Sequence, residues 1–242
     1  MKHGPFIVVG LLLASASSWC GMVLAPMIQW KDLQPEKDEA TATFYPSRRS
    51  GLAEQGSEVY RANGCFHCHT QVIRGRGLGK DLEKGLGTRR SVAIDFLHDH
   101  TVMPGETRLG PDLANFGVRS RKAGDTNGVL SLQSILVNLF NPRSVNPASM
   151  MPAYPGLFEV RSVGRTPSPD ALALPPGSGV GSGLEVLPKP EALALAAYLS
   201  SLDSQKSVFV APVPKPVKKG GEAGGTNAVA GAVAGTNAAP PK

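Results

Sequence analysis

At 242 residues, with 28 glycines, 21 prolines and only 6% aromatics, the chain has room for one or two domains but material for only a small core amid much irregular chain. The formal charge of +6 does not mark a nucleic-acid surface. Five lysines against one glutamate beyond Asp203 carry +4 of it, away from any folded face with interleaved aromatics. Of the three cysteines, two share one motif and the third lies in an apolar run, so there is no disulfide framework.

From Gly4 to Trp30 there is no charged residue, a run long enough to cross a hydrocarbon core of roughly 30 Å as a helix. Trp30 stands where an interfacial aromatic is expected. A cleaved signal peptide is the competing reading, with small residues around Ala14-Ser15-Ala16, but the apolar pattern continues well past them. Trp19 is a poor neighbour for a lipidated cysteine, so Cys20 reads as a small buried packing residue. The segment 1–30 is therefore expected to be an uncleaved transmembrane anchor. Lys2 on one flank faces Lys31, Lys37, Arg48 and Arg49 on the other, so basic residues alone do not set its orientation. Residues 31–50, with Pro35 and the acidic cluster Glu36, Asp38 and Glu39, read as a solvated linker.

A domain is expected over 51–203. Leu52, Gln55, Val59 and Tyr60 predict a helix over Leu52–Asn63, stopped at Asn63-Gly64. Cys65-Phe66-His67-Cys68-His69 follows at once. Two cysteines two residues apart, with a histidine directly after the second, are the pattern of covalent c-type haem attachment. The thiols of Cys65 and Cys68 add across the two vinyl groups, and the same turn aims the His69 imidazole at the iron. A zinc site would need a second Cys or His pair, and a thioredoxin-like pair would need a βαβ context and no histidine. One haem c is expected, and its attachment places this part of the chain outside the cytoplasm. The Gly- and charge-rich stretch 74–90 reads as loop and not as a phosphate cradle, since no strand precedes it and no Gly-Lys-Ser/Thr follows.

Leu132, Ile135, Leu136 and Leu139 predict a helix over Leu130–Phe140, stopped by Asn141-Pro142. A low-spin electron-transfer haem takes a second axial ligand, commonly Met or His, and Met103, Met150, Met151, His98 and His100 are available. Met151 ranks first. It lies 82 residues after His69 and precedes Pro152 in a proline-braced loop that holds a thioether at little further entropic cost. Met150 comes next, then Met103, while His98 and His100 read as surface residues. Residues 161–190 read as a loop insertion, and Pro190–Leu202 as a short amphipathic helix. The stretch 204–242, in which Gly-Thr-Asn-Ala occurs at 225 and again at 235, reads as a disordered low-complexity tail.

Cys65–Arg74 reads Cys-Phe-His-Cys-His-Thr-Gln-Val-Ile-Arg. With Thr107-Arg108-Leu109-Gly110-Pro111-Asp112-Leu113 and Asn141-Pro142-Arg143-Ser144-Val145 through Met151-Pro152-Ala153-Tyr154, it resembles the membrane-anchored mono-haem subunit (subunit II) of cbb3-type cytochrome c oxidases. Gln71, Arg74 and Pro142-Arg143-Ser144 separate it from generic cytochromes c. Asn138 departs from the family, which often carries histidines in that helix. The resemblance implies a mainly α, class I cytochrome c-like haem domain on one transmembrane helix. In mono-haem cytochromes c a Gly-Pro segment here supplies a backbone carbonyl to the proximal histidine, a role that falls to Pro111. The resemblance further implies a bacterial inner membrane, a periplasm-facing haem domain, and a haem-copper catalytic subunit and other haem c subunits as partners. It implies electron relay from cytochrome c donors toward the oxygen-reducing site, with no catalysis by this chain alone. The alternatives are the mono-haem subunit of a nitric oxide reductase, which the Gln71–Arg74 continuation disfavours, and a haem-based sensor whose Met151 a gas displaces.

Overall fold

The computed structural model describes residues 3–38, 42–123, 132–206 and 208. The expected tail beyond 208 lies outside them, as do Leu130 and Ser131 at the start of the expected helix.

The N-terminal helix runs unbroken from Gly4 to Trp30 and buries none of its residues. It comprises α1 (Gly4–Trp19), a π turn (Cys20–Leu24) and α2 (Ala25–Trp30). The π turn has a local cause in Pro26. Proline has no N–H for the carbonyl four residues back and its ring crowds that carbonyl. The helix widens just before it, and Ala25 N–H reaches the Cys20 carbonyl five residues back. The helix is apolar and long enough to cross a membrane. Cys20 is exposed on it, so the expectation of a buried packing residue is corrected: among the described residues this helix buries none of its own against the rest.

The segment expected as a solvated linker carries a hairpin, with β1 (Glu36–Asp38) antiparallel to β2 (Thr43–Tyr45). Tyr45 is buried and donates to Asp95 at 2.7 Å, while Arg49 pairs with Asp99 and stacks over the Tyr198 ring. An aromatic body with a satisfied hydroxyl gains enough from burial to draw the chain down, so residues 45–50 belong to the domain surface.

The haem domain is mainly helical. Ser50 caps α3 (Gly51–Ala62), its hydroxyl accepting from Ala53 N–H, and Glu54 favours the positive end of the helix dipole. The helix stops at Asn63, whose side-chain amide donates to the Val59 carbonyl, followed by Gly64 at φ +66°. That left-handed turn requires glycine and starts α4 (Cys65–Cys68) in a new direction. The remaining helices are α5 (Phe116–Ala123), α6 (Leu132–Phe140), α7 (Pro142–Val145) and α8 (Pro190–Ser201).

The first and last domain helices, α3 and α8, cross at very close range. A Cβ on Gly56 would sit 1.9 Å from the Ala194 carbonyl oxygen, and the Tyr60 and Tyr198 rings meet at 5.4 Å. The buried face of α3 is Ala53, Gly56, Ser57 and Tyr60, while Leu52 is exposed. Of the residues whose spacing marks the helix, Tyr60 is buried and Val59 packs against the core, while the closest approach to α8 is made by small residues, Ala53, Gly56 and Ser57. Gly56→Ala is expected to cost roughly 3 kcal/mol by overpacking. Thermal unfolding followed by circular dichroism should show Tm lower by about 10 °C.

The core joins Tyr60 and Tyr198 to Leu113, Ile135, Leu136, Leu139, Phe140 and Leu195. The expected insertion is rooted in this core by a second hairpin. Strands β3 (Phe158–Ser162) and β4 (Leu184–Pro188) pair antiparallel from Phe158↔Pro188 to Ser162↔Leu184. Phe158 meets Phe140 edge-on at 5.3 Å, and Leu172 in the returning loop is buried with its N–H on the Val186 carbonyl. The reading of 161–190 as loop throughout is corrected to a hairpin whose apolar residues complete the core.

Candidate haem-binding site

Gly64 turns the chain into α4 so that Cys65 is buried and Cys68 half-buried on one short turn. His69 N–H still bonds the Cys65 carbonyl, but its own backbone is extended (φ −117°, ψ 133°), so the imidazole leaves the turn sideways. Its Nδ1 lies 2.8 Å from the Pro111 carbonyl oxygen. A carbonyl only accepts, so Nδ1 carries the proton and Nε2 presents its lone pair. A bond of this kind fixes the ring orientation and raises its basicity.

Segment 104–113 is laced to segment 66–71 along its length. Gln71 N–H donates to Pro104, Glu106 N–H to Phe66, Gly110 N–H to Cys68 and Leu113 N–H to Thr70, all within 2.8–3.0 Å. Thr107 Oγ1 also donates to the His67 carbonyl. Two glycines make the approach possible. A Cβ on Gly105, already at φ +90°, would lie 2.3 Å from the His69 carbonyl oxygen, and one on Gly110 would lie 2.2 Å from His69 Cε1.

Below this lacing lies a buried ionic frame. The Asp112 carboxylate accepts from Thr70 Oγ1 (2.6 Å), Val72 N–H (2.9 Å) and Ala114 N–H (2.9 Å). Asp81 accepts from the Arg74 backbone (2.7 Å) and guanidinium (3.1 Å) and from Arg108 (2.6 Å). Arg108 also reaches the Val72 carbonyl and Asp112, and so ties both strands of the proximal loop together. Burial alone would raise the Asp81 carboxyl, but the hydrogen bonds from Arg74 and Arg108 outweigh it and hold the group well below the usual carboxylate range. Its stabilising effect is therefore complete above about pH 4 and is lost only as pH falls through the depressed native value. Asp81→Asn leaves Arg74 without its paired carboxylate and Arg108 with Asp112 alone, and is expected to cost about 3 kcal/mol. Denaturant midpoints of parent and variant should differ by a constant amount from pH 7 down to about 5 and converge below about pH 4.

On the other side of the motif, Met151 packs against the same cluster as Cys65, Phe66 and Tyr154. Its N–H donates to Ser149 Oγ at 3.2 Å, and Tyr154 N–H donates to the Leu139 carbonyl at 3.0 Å, pinning the loop to α6. The Met151 sulfur lies 3.6 Å from Asn138 Nδ2. Met150 is 75% exposed and Met103 is buried in the core, while His98 is half-buried and His100 exposed. Burial pushes the Cys65 thiol up to about 11, and the same cause, with Cys65 beside it, takes the Tyr154 hydroxyl to about 12. The distal loop and the attachment turn thus pack into one apolar cluster.

Of the residues singled out in the sequence, His69 and Pro111 are in contact, and Cys65 and Met151 belong to one apolar cluster, while Met150 stays outside it. Sequence reasoning missed the frame that supports them. Asp112 and Arg108 stand inside a quoted motif without an assigned role, and Asp81 sits in a Gly-rich stretch with no local signal. Gln71, whose carbonyl accepts from the buried Tyr198 hydroxyl at 3.0 Å, ties the motif to the helix crossing.

A short N-terminal apolar helix followed by a small helical domain with a Cys-x-x-Cys-His turn and an oriented histidine defines a membrane-anchored haem domain. The family model for "Cytochrome C oxidase, mono-heme subunit/FixO" matches residues 7–171, and the chain belongs to that family. No curated protein matches the chain. Family membership makes this a mono-haem subunit of cytochrome c oxidase type. The donor set fits the group: two thiols on one turn, an imidazole with Nε2 left open by the Pro111 bond, and a thioether packed in the same apolar cluster as Cys65.

Proposed function

We propose that this chain is an electron relay in a cbb3-type terminal oxidase. In this reading Cys65 and Cys68 would hold one haem c covalently, His69 and Met151 would ligate its iron, and the Pro111 carbonyl orients His69. Its anchor holds the haem domain on the periplasmic side of a bacterial inner membrane. When bound, the haem supplies a one-electron ferric–ferrous couple. The chain's residues do the rest. His69 and Met151 would hold the iron and so leave it no site for substrate, while Phe66 and Tyr154 would lend the group their apolar surface. Electrons then pass from cytochrome c donors or a di-haem partner toward the oxygen-reducing haem-copper subunit. The observation that carries the reading is the His69 Nδ1 contact with the Pro111 carbonyl inside a family-matched segment.

The test is gentle solubilisation of the native membrane and isolation of the haem-stained band under mild conditions. A copper-containing oxidase that consumes oxygen should co-purify. Nitric oxide consumption by the isolated complex would move the chain to a reductase, and a band that purifies alone and binds carbon monoxide would make it a sensor.

A further inference from the structure

Helix α6 buries Ile135, Leu136, Val137, Leu139 and Phe140, and among them stands one half-buried amide, Asn138. An amide in apolar surroundings is costly unless it is partnered. Its Nδ2 meets the Met151 sulfur at 3.6 Å, and the next residue, Leu139, accepts from Tyr154 N–H. One turn of α6 therefore grips the Met151–Tyr154 loop twice, by its backbone and by its thioether. The thioether is the part that needs gripping, since three rotatable bonds leave a methionine sulfur poorly oriented by packing alone.

We propose that Asn138 is the positioning residue for Met151: its amide N–H occupies one sulfur lone pair and leaves the other free on the side of the apolar cluster that Met151 shares with Cys65 and Phe66. The proposal rests on the reading of Met151 as the distal ligand. It has two consequences. The sulfur is held in one of its two configurations when it binds iron, and an N–H on the sulfur withdraws electron density from it. That withdrawal disfavours the ferric state more than the ferrous state. A hydrogen bond of this strength shifts the ferric–ferrous equilibrium by roughly fivefold.

The test uses the solubilised full-length chain with its haem attached. Asn138→Leu and Asn138→Asp both remove the N–H, and the second keeps the side-chain volume. Either variant should carry the parental amount of covalent haem and should not bind carbon monoxide. Its ferrous fraction at a fixed poise should fall roughly fivefold. Its oxidised proton spectrum should show two sets of haem methyl signals where the parent shows one. A single unchanged set and an unchanged poise would overturn the proposal. In the parent protein labelled with ¹⁵N-asparagine, one side-chain amide should be strongly displaced by the oxidised iron and should return to its ordinary position in Met151→Ala. The absence of any such amide overturns the proposal even if both variants fail to load haem. If Met151→Ala itself leaves the protein closed to carbon monoxide, the ligand reading fails instead. If Met151→Ala opens the iron while both Asn138 variants match the parent, only the role of Asn138 fails.

Discussion

Met151→Ala will convert a haem that ignores carbon monoxide into one that binds it when reduced. The parent should show no spectral response to the gas and the variant a full one, the largest qualitative change any single substitution in this chain is expected to make. The structure separates this residue from its rivals. Met150, its immediate neighbour, is 75% exposed and outside the apolar cluster, so Met150→Ala should leave the ferrous spectrum closed to the gas. Met103 is buried in the core, so Met103→Ala should cost about 3 kcal/mol of stability by leaving a cavity, without opening the iron. The ferrous absorption spectrum with and without carbon monoxide reads all three. An open Met150→Ala protein with a closed Met151→Ala protein would transfer the ligand to Met150.

The Cys65–His69 turn was the most legible part of this chain because its pattern is local. Cys65, Cys68 and His69 must share one turn, so five consecutive residues carry the whole signal, and Gly64 only has to turn the chain into it. Pro111 was legible through a recognised segment and not through spacing, and its carbonyl does stand 2.8 Å from His69 Nδ1. Helices α3 and α8 lie within one residue of their expected bounds and α6 ends at Phe140 as expected, because caps and stops are also local. What escaped depends on partners distant in sequence. The face of α3 that packs is chosen by how near α8 comes, and a surface of Ala53, Gly56 and Ser57 looks polar or neutral until Ala194 is laid against it. Tyr45 looked like linker because Asp95 lies 50 residues away. Asp81 became the centre of an ionic frame only when Arg74 and Arg108 were folded onto it. Val186 and Leu172 in the 161–190 stretch were hidden by the glycines and prolines around them, which mark turns but say nothing of what the turns bring together.

Gly110→Ala puts the proximal side to an equally severe test, for a reason of space alone. Gly110 carries no positive φ, so alanine is conformationally admissible there. Its Cβ, however, would lie 2.2 Å from Cε1, 2.6 Å from Nδ1 and 2.8 Å from Nε2 of His69. Neither side can yield cheaply. Gly110 N–H is bonded to the Cys68 carbonyl at 2.9 Å, and the next residue supplies the carbonyl that holds His69. Retreat of the loop breaks both bonds, while retreat of the ring turns Nε2 away from the face it shares with the two thiols. Overpacking of this kind costs about 1–3 kcal/mol, so covalent haem per chain is expected to fall roughly tenfold. Gly164→Ala, where nothing lies within 4 Å, serves as the control and should load normally. Haem staining against total protein for the two variants decides the matter. Normal loading of Gly110→Ala, with an unchanged ferrous spectrum, would mean that His69 does not need the 104–113 segment behind it and that Pro111 is not its partner. Loss of loading in Gly110→Ala alone would place the orientation of the imidazole before the attachment of the thiols, since the thiols themselves are untouched by the substitution.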